Sequence, residues 1–302
     1  MVSTKVNLSG IELDNPIIPA SGTFGFGQEF SELYDLNILG SISFKGTTLE
    51  PRFGNPQPRI AECSSGLINS VGLQNPGLQK VIAEELPALS KIYRKPLIAN
   101  ISGFSIHEYT ECARAMDAQE QVGIIEVNIS CPNVHGGGMA FGQDPQQAAE
   151  VTRAVKQVTS KPVYIKLSPN VTDITQIALA CEEAGADGLS LINTLLGMRI
   201  DVAGRKPVIA NKMGGFSGPA IFPVALRMVY QVCQAVSIPV IGIGGIQKTD
   251  DVLEMIMAGA QAVQIGAANL TDPWVCKKII EDLPHRMADL GISDLSEIRG
   301  IV

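Results

Sequence analysis

The chain has 302 residues, of which 45% are hydrophobic and 18% are charged, a composition typical of a globular protein with a large core. Its 23 basic and 30 acidic residues give a net charge of −7, which argues against nucleic acid or an anionic membrane surface as the main partner. The six cysteines are scattered without a CxxC pair, which excludes a zinc ribbon and gives no sign of an iron–sulfur site on this chain, and no metal site is predicted. Since no apolar run approaches about 20 residues and no signal peptide precedes the first predicted strand, a cytoplasmic protein is expected.

Short β-branched runs recur along the chain, and most are followed by a polar or glycine-rich turn and a helical pattern. Eight of these runs are predicted to be strands: Pro16–Ala20, Ser41–Lys45, Pro96–Ile101, Ile124–Ser130, Pro162–Leu167, Gly188–Ile192, Pro239–Ile243 and Ala262–Ile265. Amphipathic periodicity predicts helices between and after them: Leu78–Ile92, Ile106–Gln121, Pro145–Val158, Ile174–Ala184, Pro219–Val236, Thr249–Ala258 and Pro273–Ala288.

Repeated β/α units with nearly continuous apolar strands indicate a parallel sheet that is covered on both faces. Eight such units favour an α/β fold of the (β/α)8 TIM-barrel type, built as a single domain over residues 1–302. An open doubly wound sheet is the alternative, although no G-x-G-x-x-G follows the first strand. The connections Gly46–Gly77 and Asn193–Gly218 are unusually long, and both leave the C-terminal ends of strands, so we expect long loops over a pocket at that face.

The fourth predicted strand ends in a cysteine between two asparagines, in the run Asn128-Ile129-Ser130-Cys131-Pro132-Asn133. Pro132 cannot donate a ladder hydrogen bond, so the strand is expected to stop there. An inert buried cysteine is the common alternative, but apolar packing requires neither the amides nor the glycines that follow. The run Gly136–Gly138 predicts a loop that closes over a ligand, with a static turn as the alternative. His135 is a second candidate base, but the pattern favours a solvated loop histidine at this position.

Polar side chains also stand at the ends of other predicted strands, where the strands of a barrel converge. Lys45 and Lys166 end otherwise apolar strands, and a buried lysine is costly unless an anion or polar ligand pairs with it. The alternative is that each lysine extends its ammonium to solvent. Asn100 and Asn128 add amide groups to the same end of the sheet. The strand ends therefore predict a ligand site.

Glycines follow the seventh and eighth predicted strands, in Gly244-Gly245 and Gly266-Ala267. Barrel enzymes often bind a phosphate on backbone N–H groups at this position, near a helix N-terminus. A flat phosphorylated cofactor, flavin mononucleotide (FMN), fits this arrangement. Asn100 and Asn128 would then hydrogen-bond the edge of its ring, and Lys166 would face the N1–O2 region.

The same residues closely resemble the dihydroorotate dehydrogenases, the flavin barrel enzymes of de novo pyrimidine biosynthesis. The similarity covers almost the whole chain. It is carried by these motifs: Ser21-Gly22-Thr23, Phe44-Lys45-Gly46, the run Asn69–Asn75, the run Asn128–Asn133, Lys166-Leu167-Ser168-Pro169, Ile192-Asn193-Thr194 and Ile243-Gly244-Gly245-Ile246.

The resemblance implies a role for each matching position. Cys131 corresponds to the catalytic base that removes the C5 proton of dihydroorotate while hydride passes from C6 to FMN. The positions that correspond to the substrate site are Lys45, Asn69, Ser70, Val71, Gly72, Leu73, Asn128, Asn193 and Thr194. The positions that correspond to the FMN site are Ser21, Lys45, Gly46, Asn100, Asn128, Lys166, Ile192, Gly218, Gly244, Gly245, Gly266 and Ala267. Threonine is frequent in the family where this chain has Ala267.

The resemblance further implies the NAD-linked class 1B, through the stretches 196–201 and 210–220. Members of that class form a heterotetramer, in which a homodimer of catalytic chains works with an electron-transfer subunit that carries FAD and a [2Fe–2S] cluster. Three other functions stay open. They are a Schiff-base aldolase or lyase that uses Lys166 or Lys45, a flavoprotein that only relays electrons, and a related flavin-dependent pyrimidine reductase.

Overall fold

A computed structural model describes residues 2–130 and 141–302 of the chain. Its framework is a curled sheet of seven parallel strands, which are almost entirely buried. In chain order these central strands are β1 Ile17–Pro19, β2 Leu97–Ile101, β3 Val122–Asn128, β4 Val163–Lys166, β5 Gly188–Leu191, β6 Val240–Ile243 and β7 Ala262–Ile265. Their order in the sheet is β1-β7-β6-β5-β4-β3-β2, so the strands from β2 to β7 lie side by side in chain order. This mixed α/β architecture is consistent with a TIM-like fold.

The predicted strand Ser41–Lys45 lies between β1 and β2 but forms only an isolated parallel bridge, between Ser43 and Ile98. The backbone N–H of Ser43 donates to Pro19 O at 3.3 Å, and that of Ile98 donates to Ile42 O at 2.9 Å. The segment therefore contacts both edges of the sheet. The ladder with β1 is incomplete because Pro19 faces this segment and has no N–H to return the hydrogen bond.

Helices follow the central strands as predicted, with bounds that differ by a few residues. The α-helices are Gln28–Ser31, Leu78–Lys80, Leu86–Ile92, Ile106–Asp117, Pro145–Lys156, Ile174–Glu183, Phe222–Ala235, Thr249–Met257, Ala268–Thr271 and Val275–Asp289. The 3₁₀ turns are Leu36–Ile38, Pro219–Ile221 and Leu295–Glu297. The predicted helix Leu78–Ile92 is interrupted by a π-turn at Val81–Glu85, just before Pro87, which cannot donate an intrahelical hydrogen bond.

The two long connections were expected to be loops, and this prediction is wrong in part. They pair with each other in a four-stranded antiparallel sheet, in the order Leu195–Met198, Met213–Ser217, Gly66–Asn69 and Ile60–Cys63. A further short pair joins Ile200–Asp201 to Lys206–Pro207. These strands have only two to five residues, and the pairing joins segments that are far apart in the chain, which local sequence patterns do not reveal.

An N-terminal hairpin, Val6–Leu8 with Ile11–Leu13, lies at the N-terminal end of the central sheet. Its turn residue Ser9 contacts Tyr164 Oη at 3.0 Å and donates to Asp187 O. Buried apolar side chains from Val6 to Ile298 form one contiguous cluster around the central strands. Within residues 2–130 and 141–302, no helix has both the length and the apolarity to cross a bilayer.

Candidate active site

The concave side of the central sheet carries a layer of polar side chains around Glu126 of β3. Glu126 Oε1 accepts from Ser190 Oγ at 2.7 Å and from Gln264 Nε2 at 2.6 Å. Its Oε2 accepts from Asn100 Nδ2 at 2.6 Å and from Ser43 Oγ at 3.1 Å. Since β3 and β7 are separated by three strands in the sheet, their side chains meet only because the sheet curls around this layer.

Lys166 ends β4 next to this layer, and its side chain is 5% exposed. In the part of the chain that the structure describes, its Nζ donates no hydrogen bond and forms no ion pair within 4.0 Å. The positive charge of Lys166 nevertheless acts on Glu126. A buried ammonium without a hydrogen-bond partner is costly, so this position fits a polar or anionic ligand.

The predicted substrate residue Asn128 is the centre of a second hydrogen-bond cluster. Its Oδ1 accepts from Ser130 Oγ at 2.6 Å and from Asn193 Nδ2 at 3.4 Å, and its Nδ2 donates to Ser102 Oγ at 3.3 Å. Asn193 Oδ1 in turn accepts from the backbone N–H of Thr194 at 2.8 Å. The cluster therefore brings together three predicted substrate residues, Asn128, Asn193 and Thr194. It also includes Ser130, which directly precedes Cys131.

The predicted substrate segment 69–73 is held mainly by neighbouring loops. Asn69 Nδ2 donates to Gly215 O at 3.4 Å, and a Cβ atom at Gly215 would overlap Thr194 Oγ1, so Asn69 and Thr194 share one neighbourhood. Ser70 Oγ accepts from Asn211 Nδ2 at 2.8 Å and from Asn55 Nδ2 at 3.1 Å.

The rest of that segment is an unusual turn. Gly72 and Leu73 have φ of +78° and +56°, and Leu73 is one of five non-glycine residues with positive φ among the described residues. Residues Val71 to Leu73 contact residues 52–55 and Asn75. These contacts explain the conformation of the turn, but they do not indicate that the turn contacts a ligand.

Lys45 lies beside the predicted FMN residues of the first two strand ends. A Cβ atom at Gly22 would lie 4.0 Å from Lys45 Nζ, and one at Gly46 would lie 2.7 Å from Asn100 Oδ1. Burial lowers the pKa of Lys45 below its ordinary value, and the positive charge of Arg59 lowers it further. The two lysines thus stand at the same end of the sheet. Lys45 is followed by Gly46, and Lys166 pairs in register with Asn128 of β3.

A cavity of about 530 Å³ lies between the glycine turns and the antiparallel sheet. Its wall includes these residues: Gly66, Leu67, Gly218, Gly245, Gly266 and Ala267. Gly245 has φ of +76°, and a Cβ atom there would lie 2.6 Å from Phe222 N. Within residues 2–130 and 141–302, the backbone N–H groups of Gly245, Gly266 and Ala267 donate no hydrogen bond. Free donors beside the start of a helix are suited to a phosphate.

Most of the chain also matches a known family. The model of the family described as dihydroorotate dehydrogenase matches residues 3–287. The chain belongs to the dihydroorotate dehydrogenase family. The family predicted from the sequence motifs is thereby confirmed, and with it a flavin-dependent oxidoreductase that oxidises dihydroorotate in pyrimidine biosynthesis.

Three bacterial members of the dihydroorotate dehydrogenase family are similar over nearly their full length, and each is named dihydroorotate dehydrogenase B (NAD(+)), catalytic subunit. The protein from Halalkalibacterium halodurans is 58% identical over 300 residues, which is 99% of this chain and 98% of the relative. The Geobacillus kaustophilus protein is 59% identical over 98% of this chain and 94% of its own length. The Bacillus pumilus protein is 58% identical over 98% and 95%.

Three predicted features of this chain lie outside the described residues: Cys131, His135 and the run Gly136–Gly138. Among the described residues, no cluster of three or more His, Cys, Asp or Glu side chains is arranged to hold a metal ion. Sequence reasoning assigned no role to Glu126. Its signal was available, because a carboxylate inside an apolar strand requires partners, as the lysines do.

Proposed function

We propose that this chain is the FMN-containing catalytic subunit of an NAD-linked dihydroorotate dehydrogenase, and that it oxidises (S)-dihydroorotate to orotate at the C-terminal end of its central strands. The observation that carries the proposal is the buried ammonium of Lys166 beside a hydrogen-bonded polar layer. We further propose that segment 41–45 completes an eight-stranded barrel in one domain, residues 1–302. In that arrangement the antiparallel sheet and its connections cover the ligand site.

The described residues fit FMN at two places. The cavity beside Gly218, Gly245 and Gly266 suits its phosphate. The turn at Gly245 packs against Phe222 so closely that only glycine fits there. The backbone N–H groups of Gly245, Gly266 and Ala267 donate no hydrogen bond among the described residues. Lys166 suits the N1–O2 edge of the ring, where an ammonium offsets negative charge. When bound, FMN supplies the acceptor for the hydride from C6 of dihydroorotate.

The remaining roles belong to the chain's own side chains. The pyrimidine is oriented by five side chains: Lys45, Asn69, Asn128, Asn193 and Thr194. The Asn128 cluster fixes the position of Ser130, which directly precedes Cys131. Ser70 and Val71 to Leu73 complete the substrate contacts in this proposal.

Cys131 takes the C5 proton in this proposal. A thiol has an ordinary pKa of about 8.5, so its basic form is a minority at neutral pH. The reaction is therefore expected to be faster at mildly alkaline pH.

The names of the relatives support a separate acceptor system for the electrons. Each relative is called a catalytic subunit and is linked to NAD(+). We propose that this chain forms a homodimer within a heterotetramer and passes electrons to a partner subunit with FAD and a [2Fe–2S] cluster. The cytoplasmic location stays a prediction.

Lys45 makes orotate binding depend on pH. Burial and Arg59 lower the pKa of Lys45 below its ordinary 10.5, so its ammonium loses its proton before a free lysine does. Orotate affinity should be highest below that lowered pKa and should fall as pH rises through it. The dissociation constant can be followed through the flavin absorbance across neutral and alkaline pH. Arg59→Gln should move the decline to higher pH, whereas Arg59→Lys, which keeps the charge, should not. An unchanged pH profile in Arg59→Gln would contradict the assignment of Lys45 as the group that makes orotate binding depend on pH.

Gly245→Ala should weaken FMN binding by at least about tenfold, which corresponds to about 1.4 kcal/mol. The added methyl group meets Phe222 at the start of the helix Phe222–Ala235, so either the helix or the phosphate turn must move. Gly185→Ala is the matched control, because Gly185 also has positive φ, of +95°, but has no atom within 4 Å of an added Cβ. It carries only the backbone cost of about 1–2 kcal/mol. Equal FMN affinity in both variants, measured by fluorescence titration, would remove the phosphate site from this cavity.

The absorption spectrum tests the function as a whole. Purified protein should be yellow, and anaerobic dihydroorotate should bleach the flavin bands. NAD⁺ should restore them only when the partner subunit is present. The lowered pKa of Lys45 is a feature that a Schiff-base enzyme would share. A colourless protein that borohydride traps covalently with its substrate would favour that second function. Bound flavin that dihydroorotate fails to bleach would leave only an electron-relay role.

A further inference from the structure

Glu126 is a fully buried carboxylate that no step of the proposed reaction uses. It is 0% exposed and lies in the middle of β3, on the concave side of the sheet. Four donors hold it, and they come from four other positions around the sheet: segment 41–45, β2, β5 and β7. A residue that only filled space here would be apolar, because an ionised carboxylate loses much more solvation on burial than a hydrocarbon does.

The surroundings keep this carboxylate charged. Burial by itself raises the pKa of Glu126, but the charge of Lys166 and the hydrogen bonds from Ser190, Asn100 and Gln264 outweigh burial and lower the pKa below its ordinary value. The layer therefore holds one negative and one positive charge in a region of low dielectric, where charges act over longer distances than in water.

Two groups of the proposed FMN site depend on Glu126. Asn100 Nδ2 donates to it at 2.6 Å, which fixes the amide so that Asn100 Oδ1 lies beside Gly46. Lys166 donates no hydrogen bond within the described residues, and its positive charge acts on the carboxylate of Glu126, so the two opposite charges offset each other in this layer.

We propose that Glu126 is a positioning residue that holds Asn100 at the flavin edge, and that its charge offsets part of the positive field of Lys166 and so sets how easily the bound flavin is reduced. This inference rests on the proposed FMN site. A negative charge near the ring disfavours the negative charge that reduction adds, so removing it makes reduction easier.

The test is the equilibrium between the bound flavin and a redox dye of known potential, at pH 7, in the FMN-loaded enzyme. Glu126→Gln should raise the equilibrium constant for flavin reduction at least tenfold, which is about 30 mV for a two-electron couple. The amide can be accommodated, because Gln264 Oε1 is buried without a hydrogen-bond partner among the described residues and is available as an acceptor. Ser190→Ala is the matched control, because it removes one hydrogen bond to Glu126 without removing charge, and it should change the constant less than threefold.

Glu126→Asp decides the question if the glutamine variant does not fold. It keeps the charge but shortens the side chain, so it should lower FMN affinity while leaving the reduction constant within threefold of the native enzyme. A tenfold rise in Glu126→Asp, or a native constant in Glu126→Gln, would overturn the inference. Native protein that binds no FMN would instead refute the proposed function, so the two failures are distinguishable.

Discussion

Replacing Cys131 with alanine is expected to lower dihydroorotate oxidation by at least about 10²-fold, the lower range for the loss of a general base, while leaving FMN bound. The other side chains of the site keep their positions, because the Asn128 cluster is built from residues 102, 128, 130 and 193. The rate of flavin bleaching by dihydroorotate in a stopped-flow experiment measures the effect directly, and the visible spectrum measures bound FMN.

Two further variants sharpen this result. Cys131→Ser should keep residual activity that rises at higher pH, because a hydroxyl loses its proton far less readily than a thiol and so supplies less of the basic form. Cys233→Ala is the cysteine control. Burial raises the pKa of Cys233 to about 12, so that thiol stays protonated and takes no part in the reaction. A yellow Cys131→Ala protein with native bleaching kinetics would remove the assignment of the base.

Lys166→Met is expected to slow flavin reduction by about 10²- to 10³-fold, the usual effect of losing one preorganised group that stabilises developing charge. The methionine side chain keeps much of the volume but removes the ammonium from the edge of the ring. Bleaching by dihydroorotate, normalised to the amount of bound FMN, is the measurement. Lys166→Arg keeps the charge and should retain more activity than Lys166→Met.

Lys161→Met is the matched control for this prediction, because Lys161 lies just before the other end of the same strand. Its Nζ donates to Gln119 O at 2.6 Å and to Val122 O. Burial lowers its pKa, as it does for other lysines in apolar surroundings. Loss of these contacts should lower the melting temperature without changing the bleaching rate. A bleaching rate in Lys166→Met within threefold of the native rate would contradict the role of Lys166.

The strand and helix pattern was predictable because each element carries its own signal. Val163–Lys166 and Val240–Ile243 are short apolar strands with turn residues at their ends. Asp144 and Asp173 cap the helices Pro145–Lys156 and Ile174–Glu183 by accepting hydrogen bonds from backbone N–H groups. The antiparallel sheet over residues 60–69 and 195–217 had no such signal, because its strands are short and its central pair, Met213–Ser217 with Gly66–Asn69, joins positions more than a hundred residues apart.

The site shows the same division. Lys166, Asn100 and Asn128 were identified from the sequence, because polar residues at the ends of apolar strands require a partner. Glu126 carried the same kind of signal but was assigned no role, and the identity of its four partners was not predictable, because they lie on elements that only the curled sheet brings together. The turn at Gly72 and Leu73 was assigned through resemblance, and its contacts are with residues 52–55 and Asn75.

The sequence alone determined the alternation of strands and helices, the family, and the polar residue types at the strand ends, because each of these is written in local order along the chain. Only the tertiary structure decided which of those residues meet. Hydrogen bonds and charge interactions act over a few ångströms in space, and the curl of the sheet brings Ser43, Asn100, Ser190 and Gln264 around Glu126 although they span more than 200 positions.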